Sequence, residues 1–261
     1  MITAIDKFRE HKNKAKDVFS IKLIDKSQAY DFIRMYHYLK GAKFFSKFAY
    51  GLFYKPTDEL VGVATFSNPQ GISAMKGWFS LDNQDQSVLE LSRLAVIPSL
   101  NHTNATSYLL GNSIKLLKKD GIRAVITLAT SDRHVGSIYQ VCNFKYYGLT
   151  DAKTDFFTED GRVNPRGPTK DVRGVWIPRP RKHRYAFIID KSLKCNYQEC
   201  DRPKIDAVKK LECCNGTGKV YDKRFGVWYT CPRCTGHIEN VPPISKVIME
   251  RNNERRKSTT I

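Results

Sequence analysis

A mixed α/β fold, with helices packed on one sheet, is what the order of elements in this 261-residue chain predicts. Short apolar runs of strand length alternate with longer segments of helical period. The run "IRAVITLAT" (122–130) reads as a buried strand held between two such helical segments. The signal "PTDE" (56–59) joins two strand-like runs as a hairpin, so some neighbours must be antiparallel.

The elements follow in order. "FSIKLI" (19–24) reads as a first strand. Asp25 and Gln28 form a capping-box pattern, after which Ala29, Phe32, Ile33 and Tyr36 share one helix face. "FAYGLFYK" (48–55) and "ELVGVATF" (59–66) are the hairpin strands, and "VLELSRLAVIP" (88–98) is a further strand stopped by Pro98. "NATSYLLGNSIKLLKKDG" (104–121) is a helix capped by Asn104 and closed by Gly121. Its apolar face carries Leu109, Leu110, Ile114 and Leu117. "HVGSIYQVCNF" (134–144) reads as a short helix and "KYYGLT" (145–150) as a strand. A polar excursion over 151–183 separates them from a last strand, "YAFIID" (185–190).

Composition shifts divide the chain into three parts: a main domain over 1–190, a Cys-rich module over 191–240 and a polar tail, helical or disordered, over 241–261. Lys and Arg number 44 against 26 acidic residues, a net charge of +18. A field of that sign attracts polyanions, and nucleic acid is the expected partner. No run reaches the length of a membrane span and no apolar leader core is present, so the chain is expected in the cytoplasm and off the membrane. The segment "PRPRKHRYAF" (178–187) supplies Arg179, Arg181, Lys182 and Arg184, with Arg173 upstream. On so basic a chain these are expected to meet DNA phosphates. The sequence assigns no oligomeric state.

Of seven cysteines, Cys142 is expected as a small buried hydrophobe. The others cluster. "CPRC" (231–234) has the commonest zinc-knuckle spacing, and "CNGTG" (214–218) resembles half of a DnaJ-type zinc repeat. Disulfides are disfavoured in cytoplasm. A structural zinc-ribbon-like site from Cys200, Cys214, Cys231 and Cys234 is therefore expected, with Cys195 and Cys213 as alternatives.

The stretch "TSDRHVGSIYQVCNF" (130–144) places polar groups at the end of a buried strand, where ligands bind in open α/β sheets. Asp132 reads equally as a proton acceptor or as the N-cap of the next helix. Tyr139 alone reads as a packed core tyrosine, and His37 as a helix-end histidine. Glu90 and Arg93 lie three apart on a strand, hence on opposite faces, with a sheet-edge ion pair as the simplest role and a general base as the rival for Glu90.

The order of elements resembles the GNAT acyltransferase fold. More specifically, "YHYLKG" (36–41), "LELSRLAV" (89–96), "NATSYLL" (104–110), "HVGSIYQVCNFKYYG" (134–148) and "KHRYAFII" (182–189) together resemble the Mom DNA-modification proteins, first known from bacteriophage Mu. That resemblance implies a GNAT-like mixed sheet with flanking helices and a phage-encoded protein acting in a bacterial cytoplasm. It implies conversion of the exocyclic amine of adenine in DNA to an N6-methylcarbamoyl adenine, protecting phage DNA from host restriction. By position it implies His37, Tyr38, Ser107, Asp132 and Tyr139 as catalytic residues. His37 and Tyr38 then become candidates for proton transfer, metal ligation or base stacking.

Two departures stand out. The family often has "AD" directly after the strand, where this chain has "ATSD". The Gly-rich loop that holds the CoA pyrophosphate in ordinary acetyltransferases is replaced by "SLNHTNATSYLL", leaving a helix start with Asn104, Thr106 and Ser107 as donors. The group donor stays open, with acetyl-CoA or a related acyl donor as one choice, and a catalytic iron or other metal stays open beside the zinc. The rival readings are a CoA-dependent N-acetyltransferase on a protein or small molecule, and a non-enzymatic zinc-containing DNA-binding protein.

Overall fold

The structure is a computed structural model. It describes residue 8 and residues 14–38, 44–70, 74–82, 84–101, 103–158, 163–164, 172–204, 219–222 and 227–230. In chain order these form α1 (Ala15–Val18), β1 (Phe19–Leu23), α2 (Lys26–Tyr36), β2 (Phe48–Tyr54), β3 (Glu59–Ser67), α3 (Ala74–Phe79), β4 (Val88–Val96), α4 (Ala105–Lys119), β5 (Ala124–Thr130), α5 (Ser137–Val141), β6 (Lys145–Leu149), β7 (Lys153–Thr158), β8 (Val163–Asn164), β9 (Gly174–Arg179), β10 (Lys182–Ile188), β11 (Lys219–Asp222) and β12 (Val227–Thr230). The chain folds as two units: one of residues 1–129, 134–149 and 183–207, the other of 130–133, 150–182 and 208–261. Among the described residues no helix is long and apolar enough to cross a membrane.

The first unit is built on a seven-stranded sheet of order β1-β2-β3-β4-β5-β10-β6. Hairpin neighbours are antiparallel, and β4 and β5 are parallel because α4 carries the chain back between them. The Asp25–Gln28 start of α2 forms as expected: the Asp25 N–H donates to the Gln28 side chain at 3.4 Å. Ala29, Phe32 and Ile33 then pack on Ala49, Val63 and Ala95. The alternate strand positions, among them Leu52, Ala64, Phe66 and Leu91, join Leu109, Leu110, Ile114 and Leu117 of α4 in the main core. Each fully buried leucine of that face contributes about 2 kcal/mol of transfer free energy.

Strand β4 departs from regular pairing in two places. Its parallel pairing with β5 covers only Val88–Glu90 against Ala124–Ile126. Its antiparallel pairing with β3 shifts by one between Arg93↔Thr65 and Leu91↔Phe66, so Ser92 is an extra, bulged residue. Glu90 pairs with Ser67 and Arg93 with Thr65, and Ser67 and Thr65 point to one face. Glu90 and Arg93 therefore share a face, which corrects the expectation from simple alternation: one inserted residue reverses the period-2 count.

The second unit corrects another expectation. Within the excursion 151–183, read as polar and given no strand, β7, β8 and β9 form a three-stranded antiparallel sheet of order β8-β7-β9. One face buries Asp155, Phe157, Val175 and Ile177, and Asp155 pairs with Arg179 across the strands. Lys, Thr and Asp between the apolar residues concealed this pattern. β11 and β12 pair as a two-stranded antiparallel sheet.

Candidate functional site

The residues with unusual environments in the first unit gather where β4 and β5 part. His37 closes α2, its N–H bonded to the Ile33 carbonyl at 2.9 Å. Its ring is only 8% exposed and stacks on Tyr38, with centroids 4.3 Å apart and planes at 26°. Tyr38 is 55% exposed, and the His134 ring meets it edge-on at 6.4 Å. Arg93 lies near His37, and its guanidinium covers the Phe44 ring at 5.4 Å. Glu90 accepts the Gln70 N–H at 3.1 Å, and the Ser67 and Ser92 hydroxyls pair at 2.7 Å beside it.

Tyr139 comes from α5. Its hydroxyl hydrogen-bonds with Thr127 of β5, and its ring packs between Phe144 and Tyr185 at 5.8 and 5.5 Å. The helix start that aims it is Gly136, at φ +74°. A Cβ there would lie 2.8 Å from the Tyr139 ring and 2.7 Å from the Tyr185 ring, so glycine is needed for this packing.

The electrostatics sort these groups into two protonation states. Burial, then the Arg93 and His134 charges, push His37 down from 6.5 to about 4. At neutral pH it is an uncharged imidazole with an acceptor nitrogen. Burial pushes the Tyr139 phenol up, against the Thr127 hydrogen bond that lowers it, with Tyr38, Tyr185 and Glu90 raising it further. Tyr139 therefore keeps its proton. A neutral acceptor and a protonated donor near one opening are the pairing that acid–base chemistry needs.

The His37 shift has a consequence for stability. The unfolded chain binds a proton near pH 6.5 and the folded one only near 4. Stability from a neutral His37 is present above 6.5 and is lost as pH falls through that window. His183, also lowered, by burial and then by His134, adds in the same direction. Melting temperature should fall between pH 6.5 and 4, and His37→Gln should fall less steeply over that window. Parallel curves for the two proteins in pH-scanned thermal melts would refute this.

Of the five residues implied as catalytic, the first unit brings His37, Tyr38 and Tyr139 together. Ser107 stands elsewhere: its hydroxyl donates to the Asn104 carbonyl at 2.9 Å in the first turn of α4. It lines a cavity of about 560 Å³ with Gly111, Lys115, Val141, Phe187 and Ile189. Asp132 belongs to the second unit, in the turn after β5. Its Oδ1 is buried and has no hydrogen-bond partner among the described residues. The N-cap of α5 is Gly136, so the capping reading of Asp132 is overturned. Asn104, at the N-cap of α4, makes no side-chain cap bond either.

His134 and Thr127 were not singled out from sequence, and neither was His183; Arg93 was read only as a partner of Glu90. His183 is buried, its Nδ1 2.9 Å from the Tyr146 hydroxyl. The one sequence signal for it was a histidine inside the basic "RKHRY" run.

The basic residues are partly engaged within the fold. Arg179 pairs with Asp155, Arg181 Nε donates to the Thr150 carbonyl at 2.6 Å, and Arg184 donates to the Leu149 carbonyl and covers the Tyr197 ring. Lys182 and Arg173 are exposed. Cys142 is half-buried with its thiol pushed up to about 11 by burial, as a small hydrophobe should be. Of the zinc candidates, Cys200 is exposed, its thiol 3.5 Å from the Gln198 carbonyl, while Cys213, Cys214, Cys231 and Cys234 lie outside the described residues. Among the described residues no three His, Cys, Asp or Glu side chains are grouped to hold a metal.

The fold and this cluster define a mixed α/β protein with acid–base groups gathered at a gap in its sheet. The chain belongs to the Mom protein family, whose profile matches residues 18–204. No curated protein matches the sequence. Similar solved structures include a Bacillus subtilis acetyltransferase in complex with CoA, at 20% identity and a TM-score of 0.39, covering 65% of this chain and 98% of that one. The ribosomal-protein-S18-alanine N-acetyltransferase of Escherichia coli is 13% identical with a TM-score of 0.41, covering 66% and 94%. A GNAT family acetyltransferase from Elizabethkingia anophelis with acetyl-CoA bound is 17% identical with a TM-score of 0.40, covering 66% and 99%. At these scores and identities the likenesses assign no activity to this chain.

Proposed function

We propose that this protein is a phage-encoded transferase that modifies the exocyclic amino group of adenine in DNA to an N6-methylcarbamoyl adenine and so protects that DNA from restriction. Membership of the Mom family supports the substrate class. The observation that carries the chemistry is the meeting of neutral His37, exposed Tyr38 and protonated Tyr139 where β4 and β5 part.

Adenine N6 is a weak nucleophile because its lone pair is delocalised into the ring. In this reading the base leaves its stack and lies on Tyr38, whose ring is already braced by His37. The amino nitrogen forms a bond to the electrophilic carbon of an acyl-type donor while the bond to the leaving group breaks. The amine proton passes to His37 or to the Glu90 carboxylate, and Tyr139 gives its proton to the leaving group. Asp132, with its unsatisfied Oδ1, is a separate candidate acceptor, tested by Asp132→Asn. Arg173, Arg179, Arg181, Lys182 and Arg184 would supply phosphate contacts, and Ser107 and its cavity a seat for part of the donor. A structural zinc on the C-terminal cysteines belongs to the same proposal.

The test is nucleoside mass spectrometry of plasmid DNA from bacteria expressing the chain, beside an empty-vector control. A new adenine nucleoside with the mass of the added group is expected. A second arm gives purified protein both DNA and acetyl-CoA, and the same preparation is assayed for zinc. Soluble, zinc-loaded protein that leaves adenine unchanged in both arms would sink the enzymatic reading in favour of a zinc-containing DNA-binding protein.

A further inference from the structure

We propose that the stretch of sheet face left between α2 and α3 is the seat of the target base, where Glu90 and the Ser67–Ser92 hydroxyl pair read the amino-bearing edge of adenine. The choice of adenine as the guest rests on the proposed function; the polar seat does not.

The two helices cover opposite ends of one face. α2 packs Phe32 and Ile33 on Val63 and Ala95, and α3 packs Met75 and Trp78 on Val88 and Ala124. Along β4, Val88 shares a face with Glu90, and Arg93 with Ala95. The bulge at Ser92 makes those two pairs agree. Between the helices β4 therefore presents Glu90 and Arg93 where an apolar pair would continue the core. On the neighbouring strand Thr65 and Ser67 follow Val63 on the same face. The Ser67 hydroxyl meets that of Ser92 at 2.7 Å, which brings Ser92 to this face as well. Glu90, Ser92 and Arg93 are each half-buried, so a guest can reach them. Thr65, paired in register with Arg93, is fully buried, and its hydroxyl has no hydrogen-bond partner among the described residues. A polar floor with a buried, unbonded hydroxyl is costly for folding alone and is what a site for a polar guest requires.

The groups specify the guest. Glu90 Oε2 accepts the Gln70 N–H at 3.1 Å, and a carboxylate has room for about four such bonds. It therefore calls for an N–H donor. When Ser67 donates to Ser92, the Ser92 proton is able to turn towards a guest acceptor. A carboxylate acceptor beside a hydroxyl donor complements an amino group beside a ring nitrogen, the pairing edge of an extruded adenine. Guanine and thymine carry a carbonyl oxygen where adenine carries its amine, and that oxygen would face the carboxylate. Phosphate is repelled by Glu90 for the same reason. An ammonium group is disfavoured by Arg93 on this face and by the net charge of +18. A neutral, amino-bearing ring remains. Cytosine offers the same edge on a smaller ring and is the control for size.

The experiment uses the full chain and fluorescein-labelled single-stranded oligodeoxynucleotides of one length, read by anisotropy. One is adenine-rich; in the others hypoxanthine or cytosine replaces every adenine. Hypoxanthine keeps the shape of adenine and reverses only the pattern of its pairing edge. Wild type should bind the adenine strand about 5- to 150-fold more tightly than the hypoxanthine strand, the span of one well-made two-bond contact. Glu90→Gln should bring the two affinities close together, because an amide offers a donor as well as an acceptor. Its binding to the hypoxanthine strand should not weaken. Ser92→Ala keeps the length of β4 and should lower the adenine preference about 2- to 10-fold. That second variant carries the test if Glu90→Gln does not fold.

Equal wild-type affinity for the adenine and hypoxanthine strands would overturn the seat. So would folded variants whose losses fall equally on all strands, the mark of a purely structural role. Tighter binding of the cytosine strand would overturn adenine as the guest. A Glu90-dependent adenine preference in a protein that never modifies adenine would leave the seat standing and remove the proposed function. Adenine modification with a preference indifferent to Glu90 and Ser92 would do the reverse.

Discussion

Tyr139→Phe should lower adenine modification by about 10²- to 10⁴-fold, the range expected when a positioned proton donor is removed. The side chain loses one oxygen and keeps its ring, so the contacts with Phe144 and Tyr185 survive. The lost hydrogen bond to Thr127 costs about 1 kcal/mol at most, because the Thr127 hydroxyl can still donate to the Leu91 carbonyl at 3.4 Å. The check is modified nucleoside per unit time from equal amounts of folded protein, with circular dichroism melts run beside it. A variant with wild-type turnover would remove Tyr139 from the chemistry. A loss that merely tracked unfolding would make it a core residue, as its sequence context alone suggests.

Gly136→Ala should destabilise the first unit by about 2–4 kcal/mol, through a left-handed backbone and an overfilled contact at once. The added carbon would lie 2.7 Å from Tyr185 Cε2, 2.8 Å from Tyr139 Cδ2 and 3.2 Å from Ala129 Cβ. All three are ring or strand atoms held by the core, so none yields freely. Gly111→Ala is the matched control. No heavy atom lies within 4 Å of its added carbon, and the position is helical, so stability should hold or rise by about 0.5–1 kcal/mol. Urea unfolding of the pair decides it. Equal midpoints for Gly136→Ala and wild type would show that α5 can repack and that Tyr139 is not aimed by this glycine.

The helices and main strands were legible because their signals are local. Asp25 and Gln28 sit at capping-box spacing, and the α4 face repeats Leu109, Leu110, Ile114 and Leu117 with helical period. The site was half legible. His37, Tyr38 and Tyr139 were reached through family resemblance, and their meeting depends on two elements about a hundred residues apart, the end of α2 and α5. His134 and Arg93 act through proximity to His37, which no spacing rule encodes. The sheet β8-β7-β9 was missed because Asp155 is buried on its apolar face: the ion pair with Arg179 lets a carboxylate occupy a position that alternation reserves for an apolar side chain.

Ser92 acts as a parity switch. Everything before it on β4 is counted odd against even one way, and everything after it the other way, so Glu90 and Arg93 agree in direction only because one residue is spare. A gene losing a single codon here would keep its helices, its composition and nearly all of its core. It would nonetheless turn one of the two charges out of the opening and into the greasy side beneath α4. Point changes at this position need only stay small enough for the Ser67 hydroxyl 2.7 Å away. Length, rather than identity, is what drift in this stretch must conserve.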